Sequence, residues 1–226
     1  MTSYPFFGGF RYPIVVKPAR GAGCRGVALV RNGRELCQAI DVARDRRGKG
    51  AVLLQQYVAG AAASVSLLSD GSRSVALSVN GQAIRTLHAF SYRGGRVPFD
   101  HPLATRAAAT AIRACEALPG LRGYVGVDLV LTRSEAIVIE VNPRLTTAYV
   151  GVRSALDANV ADLALSACAG ILPVPPPVRR HVRFTAGGRI VSTTPVIAPS
   201  SARSAKPTAR TGQGAGYQAR RPWLVS

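Results

Sequence analysis

The stretch that decides the fold is GVDLVLTRSEAIVIEVNPR, residues 126–144. Apolar residues flank the polar TRSE on both sides, which predicts two antiparallel strands joined by a tight loop. With a three-residue loop at 133–135, Asp128 lies directly opposite Glu140. Asn142 falls on the same face, because side chains two residues apart along a strand point the same way. The sequence therefore predicts two carboxylates and an amide on one face of a hairpin.

This group of side chains is a candidate site for a hard divalent cation. Asp128, Glu140 and Asn142 offer the oxygen ligands that Mg²⁺ prefers, and without a cation the facing carboxylates would repel each other. The alternative is that both acids are solvated residues on the open face of an antiparallel hairpin. Arg144 follows a proline that fixes the chain direction, and its guanidinium suits phosphate oxygens. This neighbour favours a site for magnesium-bound nucleotide phosphates.

A second candidate feature is a lysine followed by a glycine-rich loop. Lys17 ends a short β-branched run, and Gly21, Gly23 and Gly26 follow it. An ammonium and backbone N–H groups arranged in this way can surround phosphates. The order differs from that of a P-loop, in which the lysine follows the glycines. Taken alone, the segment favours a flexible surface turn over a phosphate site.

The rest of the chain shows strand and helix patterns in alternation. A final hairpin is predicted around residues 182–191, and a disordered basic tail from Pro195 to Ser226, where Ser, Ala, Pro, Arg and Gly dominate. The predicted strands are 12–16, 27–30, 51–58, 64–68, 75–79, 124–131 and 136–141, and the predicted helices are 34–45, 103–118 and 154–169.

Composition limits the class of protein. The 226 residues are 47% hydrophobic, which argues against wholesale disorder. The 29 Lys plus Arg against 11 Asp plus Glu give a net charge of +18, which predicts anionic partners. Four distant cysteines in no zinc or disulfide spacing indicate a reducing compartment. With no signal peptide and no long apolar run, we expect a cytoplasmic protein without membrane contact.

Together, the two candidate features resemble the nucleotide-binding part of the ATP-grasp superfamily. The similarity covers about residues 12–169, and its most specific element is IEVNPR. ASVSLL and NPRLTTAYVG are most similar to the tyramine-glutamate ligase branch. The motifs that carry the resemblance are VVKPARGAGCRGV at 15–27, LLQQYVAGAAASVSLL at 53–68, GVDLVL at 126–131 and VIEVNPRLTTAYVG at 138–151.

The resemblance implies an α+β fold of two lobes whose antiparallel sheets sandwich the nucleotide. We expect a small lobe with the glycine-rich loop and a large lobe with the metal site. The implied segments are an N-terminal segment at 1–11, the small lobe at 12–58, the large lobe at 59–172, a Pro-rich linker and hairpin at 173–194 and the basic tail at 195–226.

The resemblance also implies ATP and Mg²⁺ as ligands and gives roles to individual residues. Lys17 and Arg144 are the expected catalytic residues. By position, Lys17, Gly21, Gly23 and Gly26 match the phosphate contacts, Gln55, Gln56, Tyr57 and Val58 match the hinge whose backbone binds adenine, Asp128, Glu140 and Asn142 match the Mg²⁺ ligands, and Arg144 matches a phosphate or acyl-phosphate contact.

The implied activity is ATP- and Mg²⁺-dependent ligation of a small-molecule carboxylate to an amine through an acyl phosphate. Three departures from the family's pattern qualify it. The chain begins 16 residues before Lys17, where the family carries a further α/β domain. Gln56 stands where many members have glutamate, and residues 60–64 lack an acid for ribose. These departures predict reduced nucleotide affinity, and they leave open a ligase or the ATP-binding part of a split or truncated one. The alternatives are a split enzyme with a companion chain that supplies the missing domain, a wrongly assigned start codon and a decayed gene.

A hypothesis from another class is a catalytically inactive basic protein that binds nucleic acid or an acidic partner through its tail. Tyr217 and Trp223 are too few for a base-stacking surface, so nucleic acid is the less favoured partner. Within the cleft, Gln82 and Arg85 are weaker candidates for substrate or nucleotide contacts. Cys24 has no neighbouring His or Asp in sequence to activate it, so it is expected to be non-catalytic.

Overall fold

The computed structural model describes residues 11–44 and 50–196, which form two antiparallel sheets with helices packed against them. The predicted α+β class is confirmed. Predictions for residues 1–10 and for the tail beyond residue 196 lie outside the described residues. In chain order the elements are β1 (Ile14–Pro18), β2 (Ala28–Val30), α1 (Gly33–Ala43), β3 (Val52–Gln56), β4 (Ala61–Asp70), β5 (Ser74–Thr86), β6 (Phe90–Val97), α2 (Ala104–Glu116), β7 (Arg122–Leu131), β8 (Ala136–Asn142), α3 (Ala148–Ala155), α4 (Val160–Cys168), β9 (Arg180–Thr185) and β10 (Ile190–Pro195).

The small sheet has the strand order β2-β1-β3. Its apolar face packs against α1, where Val16, Ile40 and Ala43 are buried together. Asn32 begins the helix, and its side chain accepts hydrogen bonds from two of the following backbone N–H groups. Such a cap satisfies donors that have no partner inside the helix. The small sheet thereby holds Lys17, which lies in β1, at a fixed position.

The large sheet has the strand order β10-β9-β6-β5-β4-β7-β8, and every pair is antiparallel. Helix α2 covers one face, where Ala107 and Ala111 are buried with Val65 of β4. Alanines on the helix allow it to approach the sheet closely. The other face is covered in part by α3 and α4, and it borders the small sheet over the rest of its length.

Backbone hydrogen bonds join the two sheets beside β2. The Phe90 N–H donates to the Val27 carbonyl oxygen at 3.0 Å, and the Leu29 N–H donates to the His88 carbonyl oxygen at 3.1 Å. These bonds tie β2 to the start of β6. They close one end of the space between the sheets.

The hairpin β7–β8 pairs as predicted at its functional end. Asp128 is opposite Glu140, and Gly126 is opposite Asn142. The predicted three-residue loop is wrong, however, because Leu131 pairs with Ala136 and leaves a four-residue loop. A register shift beside Asp128 takes up the difference, as a β-bulge does by inserting one extra residue into one strand. Loop and bulge compensate, so the predicted pairing of the acids survives.

The predicted helix at 154–169 is wrong, because two shorter helices replace it. Helix α3 ends at Ala155, and Leu156 is extended and forms an isolated bridge with Val178. Asn159 then caps α4 by accepting from the Ala161 N–H at 3.1 Å. An extended residue followed by a new cap ends one helix and begins the next.

No helix in the described ranges is long and apolar enough to cross a membrane.

Strand β6 was not predicted. Its centre is Gly94-Gly95, which reads as a turn because glycine is depleted in strands. Gly94 has φ of 129°, and a side chain there would overlap the backbone of Phe184 in β9. The glycine thus permits the close approach by which β9 joins the sheet. Only a contact distant in sequence explains it.

Candidate functional site

A cleft of about 690 Å³ lies between the small and the large sheet. It brings together residues that are more than a hundred positions apart in the chain. Gly26 and Arg85 are the two predicted candidates that do not line it. The predicted residues that do line it are Lys17, Gly21, Gly23, Gln55, Gln56, Tyr57, Val58, Gln82, Asp128, Glu140, Asn142 and Arg144.

Asp128 is the centre of the polar side of the cleft. Its Oδ1 accepts a hydrogen bond from Gln82 Nε2 at 2.8 Å, and its Oδ2 accepts one from Asn142 Nδ2 at 3.2 Å. Burial, and after it the charge of Glu140, raise the pKa of Asp128 to about 6, although the Gln82 and Asn142 hydrogen bonds and the charge of Arg144 oppose the rise. The two facing acids thus carry a real electrostatic cost in the absence of a cation.

Two basic side chains are paired with the predicted metal ligands. Lys17 Nζ, reaching across from the small sheet, lies 3.6 Å from Glu140 Oε2. Arg144 Nη2 donates to Asn142 Oδ1 at 2.9 Å. Lys17 therefore neutralises the charge of Glu140, and Arg144 gives the Asn142 amide oxygen a hydrogen-bond donor. A bound metal and an anionic ligand could exchange with these contacts without leaving charges unpaired.

The donor set fits a hard cation. Asp128, Glu140 and Asn142 present only oxygen as ligand atoms, and a divalent ion would relieve the repulsion between the two carboxylates. Among the described residues, no group of three or more His, Cys, Asp or Glu could hold a metal, and the third side chain of this candidate site is the amide of Asn142. The Asn142 amide now directs Nδ2 at Asp128. Rotation about its last side-chain torsion would turn Oδ1 toward the carboxylates instead.

The glycine-rich loop between β1 and β2 covers the same part of the cleft. Gly23, Cys24 and Gly26 have φ of 67°, 62° and 70°, a left-handed conformation that favours glycine. Gly26 is turned away from the cleft, and a side chain there would press on Pro18 at 3.0 Å. Burial, followed by the charge of Asp128, raises the pKa of the Cys24 thiol. The loop therefore lies near the carboxylates.

The segment predicted to be the hinge, residues 55–58, covers the end of β3 and the two residues after it, and it lines the cleft. Gln56 Nε2 donates to the carbonyl oxygens of Arg11 and Pro13 at 2.9 and 3.2 Å, so its side chain secures the preceding segment. The Tyr57 N–H donates to Pro13 as well, at 3.3 Å. A base bound at the hinge must therefore use other backbone groups. Gly60 comes shortly after this segment, and a side chain there would overlap the Leu131 carbonyl.

Tyr92, Thr146 and Thr147 are among the residues that line the cleft and that sequence reasoning missed. Tyr92 lies on the strand that was not predicted, and burial with the nearby charge of Asp128 raises its pKa to about 12. The threonines come two and three residues after Arg144, and the run NPRLTT was the available signal. Thr146 fits because Gly126 opposite has no side chain with which it would overlap.

Comparison with known proteins gives one family. A model described as the ATP-grasp domain matches residues 7–148. The tyramine–L-glutamate ligase of Methanocaldococcus fervens is 37% identical over 113 residues, which are 50% of this chain and 36% of that protein. The chain thus spans about a third of the length of this curated relative.

Solved structures share the fold. The biotin carboxylase–β,γ-ATP complex from Campylobacter jejuni superposes with a TM-score of 0.64 at 20% identity, over 76% of this chain and 41% of that one. The L-amino acid ligase of Bacillus licheniformis superposes with a TM-score of 0.63 at 23% identity, over 78% of this chain and 45% of that one. Identities this low establish likeness of fold alone.

Proposed function

The chain belongs to the ATP-grasp family, and on that premise we propose that its cleft binds ATP with Mg²⁺ and joins a carboxylate to an amine. One observation carries the proposal. Lys17 of one lobe meets the Glu140 carboxylate of the other across the cleft, with 3.6 Å between Lys17 Nζ and Glu140 Oε2. A cation and a polyphosphate fit between such groups because each finds opposite charge.

The metal would be held by Asp128, Glu140 and Asn142 through oxygen. When bound, it supplies neutralisation of the negative charge on the transferring phosphate. Lys17 would leave Glu140 for the phosphates, and Arg144 would leave Asn142 in the same way. Both side chains then stabilise charge that develops as the phosphoryl group moves.

The reaction would proceed in two transfers. A carboxylate oxygen of the substrate attacks the γ-phosphorus, and the bond between this phosphorus and the oxygen that bridges it to the β-phosphate breaks. The products of this step are ADP and an acyl phosphate. The amine then attacks the acyl carbon, loses a proton, and expels inorganic phosphate to leave an amide. Arg144 would stabilise both the transferring group and the departing phosphate. The glycine-rich loop would keep water from the acyl phosphate.

The relative's name supports a narrower proposal, that the substrates are L-glutamate and tyramine or close analogues. A cytoplasmic location belongs to the same proposal, since all four cysteines are free thiols. A companion chain that completes the substrate site stays a prediction. It would appear as activity that rises when that chain is added.

The proposal is tested by ADP release and by mass spectrometry of the product with ATP, Mg²⁺, L-glutamate and tyramine. We expect an amide product whose formation falls by about 10²–10³-fold in Arg144→Ala. Arg153→Ala is the matched control, because Arg153 is an exposed arginine of α3 and does not line the cleft. Equal product from Arg144→Ala and wild type would contradict the role of Arg144. No amide from any carboxylate and amine pair would contradict the ligase.

A further inference from the structure

We propose that Gln82 is a positioning residue, which holds the Asp128 carboxylate in the orientation that the metal needs. The inference rests on the proposed function, because it concerns the same metal site. The sequence alone predicts a direct contact between Gln82 and substrate or nucleotide. In the structure Gln82 acts on Asp128 instead, through the 2.8 Å hydrogen bond from Nε2 to Oδ1.

The contact is unusual because it spans a whole strand. Gln82 lies on β5 and Asp128 on β7, with β4 between them. Neighbouring strands are about 4.8 Å apart, so the two backbones are separated by roughly 10 Å. The residues of β4 that line the cleft are Ala62 and Ser64, both small. Small side chains on β4 leave the path over the strand open for the long glutamine.

The two oxygens of Asp128 have different partners. Oδ1 faces Gln82 on the β5 side, and Oδ2 faces Asn142 on the β8 side. Glu140 is also on β8, directly opposite Asp128. With Oδ1 held by Gln82, Oδ2 remains directed at the other two ligands. Fixing one oxygen of a carboxylate in this way orients the other toward a metal and supports its affinity.

A buried polar cluster fixes the strand that carries Gln82. Asn80, two residues earlier on the same face of β5, donates to Ser66 Oγ of β4 at 2.9 Å and accepts from Ser78. Tyr124 of β7 donates to the same Ser66 oxygen at 2.7 Å. These hydrogen bonds link β5, β4 and β7 on the sheet face that carries Gln82. Gln82 therefore extends from a backbone that is held in register with Asp128.

The inference is tested with Mn²⁺ as the metal probe on the full chain. Electron paramagnetic resonance measures free Mn²⁺ in the presence of ADP, and calorimetry measures ADP affinity without metal. The variant is Gln82→Met, which keeps the length of the side chain and removes its amide. Gln38→Met is the matched control, because Gln38 is exposed on α1 and does not line the cleft.

We expect Gln82→Met to weaken Mn²⁺ binding by about 10- to 100-fold, the usual effect of removing a partner of a metal ligand. Metal-free ADP affinity should stay within twofold of wild type, and Gln38→Met should change neither quantity. A purely structural role would not separate the two affinities. Melting in metal-free buffer checks folding, and Gln82→Ser, too short to reach Asp128, replaces the variant if it does not fold.

Two results would overturn the inference alone. Mn²⁺ affinity in Gln82→Met equal to that of wild type would show that the hydrogen bond does not support the metal site. Equal losses of Mn²⁺ and metal-free ADP affinity would make Gln82 a direct nucleotide contact. A wild-type protein that binds no Mn²⁺ with ADP is a different outcome, because it contradicts the proposed function as well.

Discussion

The hairpin β7–β8 and the glycine-rich loop face the same cleft but are held in different ways. Strand β7 pairs along its whole length with β4 and over residues 126–131 with β8, and Val127 and Leu129 are fully buried in it. The loop has few internal bonds, such as the Val27 N–H to the Cys24 carbonyl at 3.2 Å. The hairpin is thus a rigid, charged surface, and the glycine-rich loop is a less constrained segment that covers it. Substitutions in the hairpin should therefore have larger effects than substitutions in the loop.

The largest effect is expected from removing core volume under the hairpin. Leu129→Ala should lower the free energy of unfolding by about 2–5 kcal/mol, since it leaves a cavity among buried residues. Ala22→Ser in the loop should change it by less than about 0.5 kcal/mol, as exposed substitutions usually do. Urea unfolding measures both. Similar losses of unfolding free energy in the two variants would contradict the proposed difference in rigidity between the hairpin and the loop.

The charge centre should be costly to the metal-free protein. The folded pKa of Asp128, about 6, lies above its ordinary value of 3.8, so the folded state holds the proton more tightly. Stability is therefore highest below about pH 4 for this group and falls as pH rises through 6. Asp128→Asn should remove that pH dependence and stabilise the metal-free protein at pH 7 by about 1–3 kcal/mol.

Melting curves from pH 4 to pH 8 measure the effect. Asp157→Asn is the control, because Asp157 is an exposed acid between α3 and α4. The same variant Asp128→Asn should also lose the stabilisation by Mg²⁺-ATP. A destabilised Asp128→Asn at pH 7 would show that the carboxylate is not under electrostatic strain.

A pair of glycines sharpens the comparison further. Gly126→Ala in the hairpin should cost about 1–3 kcal/mol, because the new methyl group overlaps Thr146 and must displace it. Gly23→Ala in the loop meets no atom within 4 Å, so only its left-handed backbone is strained, at about 1 kcal/mol. Urea unfolding should rank them in this order. The reverse order would mean that the loop is the more tightly packed region.

The smallest effect concerns the thiol in the loop. Because burial raises the pKa of Cys24, less of it is thiolate at pH 8 than of an exposed cysteine. Cys24 should therefore react with iodoacetamide more slowly than Cys37, which is exposed on α1. Peptide mass spectrometry follows the two rates. A faster Cys24 would indicate a loop that opens readily.

The site was more predictable than the fold around it. Asp128, Glu140 and Asn142 could be placed on one face because strand periodicity is local, and the family motifs located Lys17 in the same cleft. The β-bulge beside Asp128 could not be seen, since a longer loop cancels it. Local sequence patterns therefore predicted the pairing of Asp128 with Glu140 correctly, although the predicted loop length was wrong.

The remaining errors have causes that are distant in sequence. Strand β6 depends on Gly94 fitting against Phe184, ninety positions away, and its local composition indicates a turn. The break between α3 and α4 depends on Leu156 pairing with Val178. Gln82 gained its partner only through the register of three strands. Such contacts override local propensity and require the folded structure.

The most direct test of the cleft is calorimetric titration of ADP with and without Mg²⁺. Glu140→Gln removes one predicted ligand, and Glu135→Gln makes the same change in the loop of the same hairpin, outside the cleft. We predict that Mg²⁺ strengthens ADP binding at least about tenfold in wild type and Glu135→Gln, and not in Glu140→Gln. Equal magnesium dependence in all three proteins, or none in wild type, would contradict the metal site.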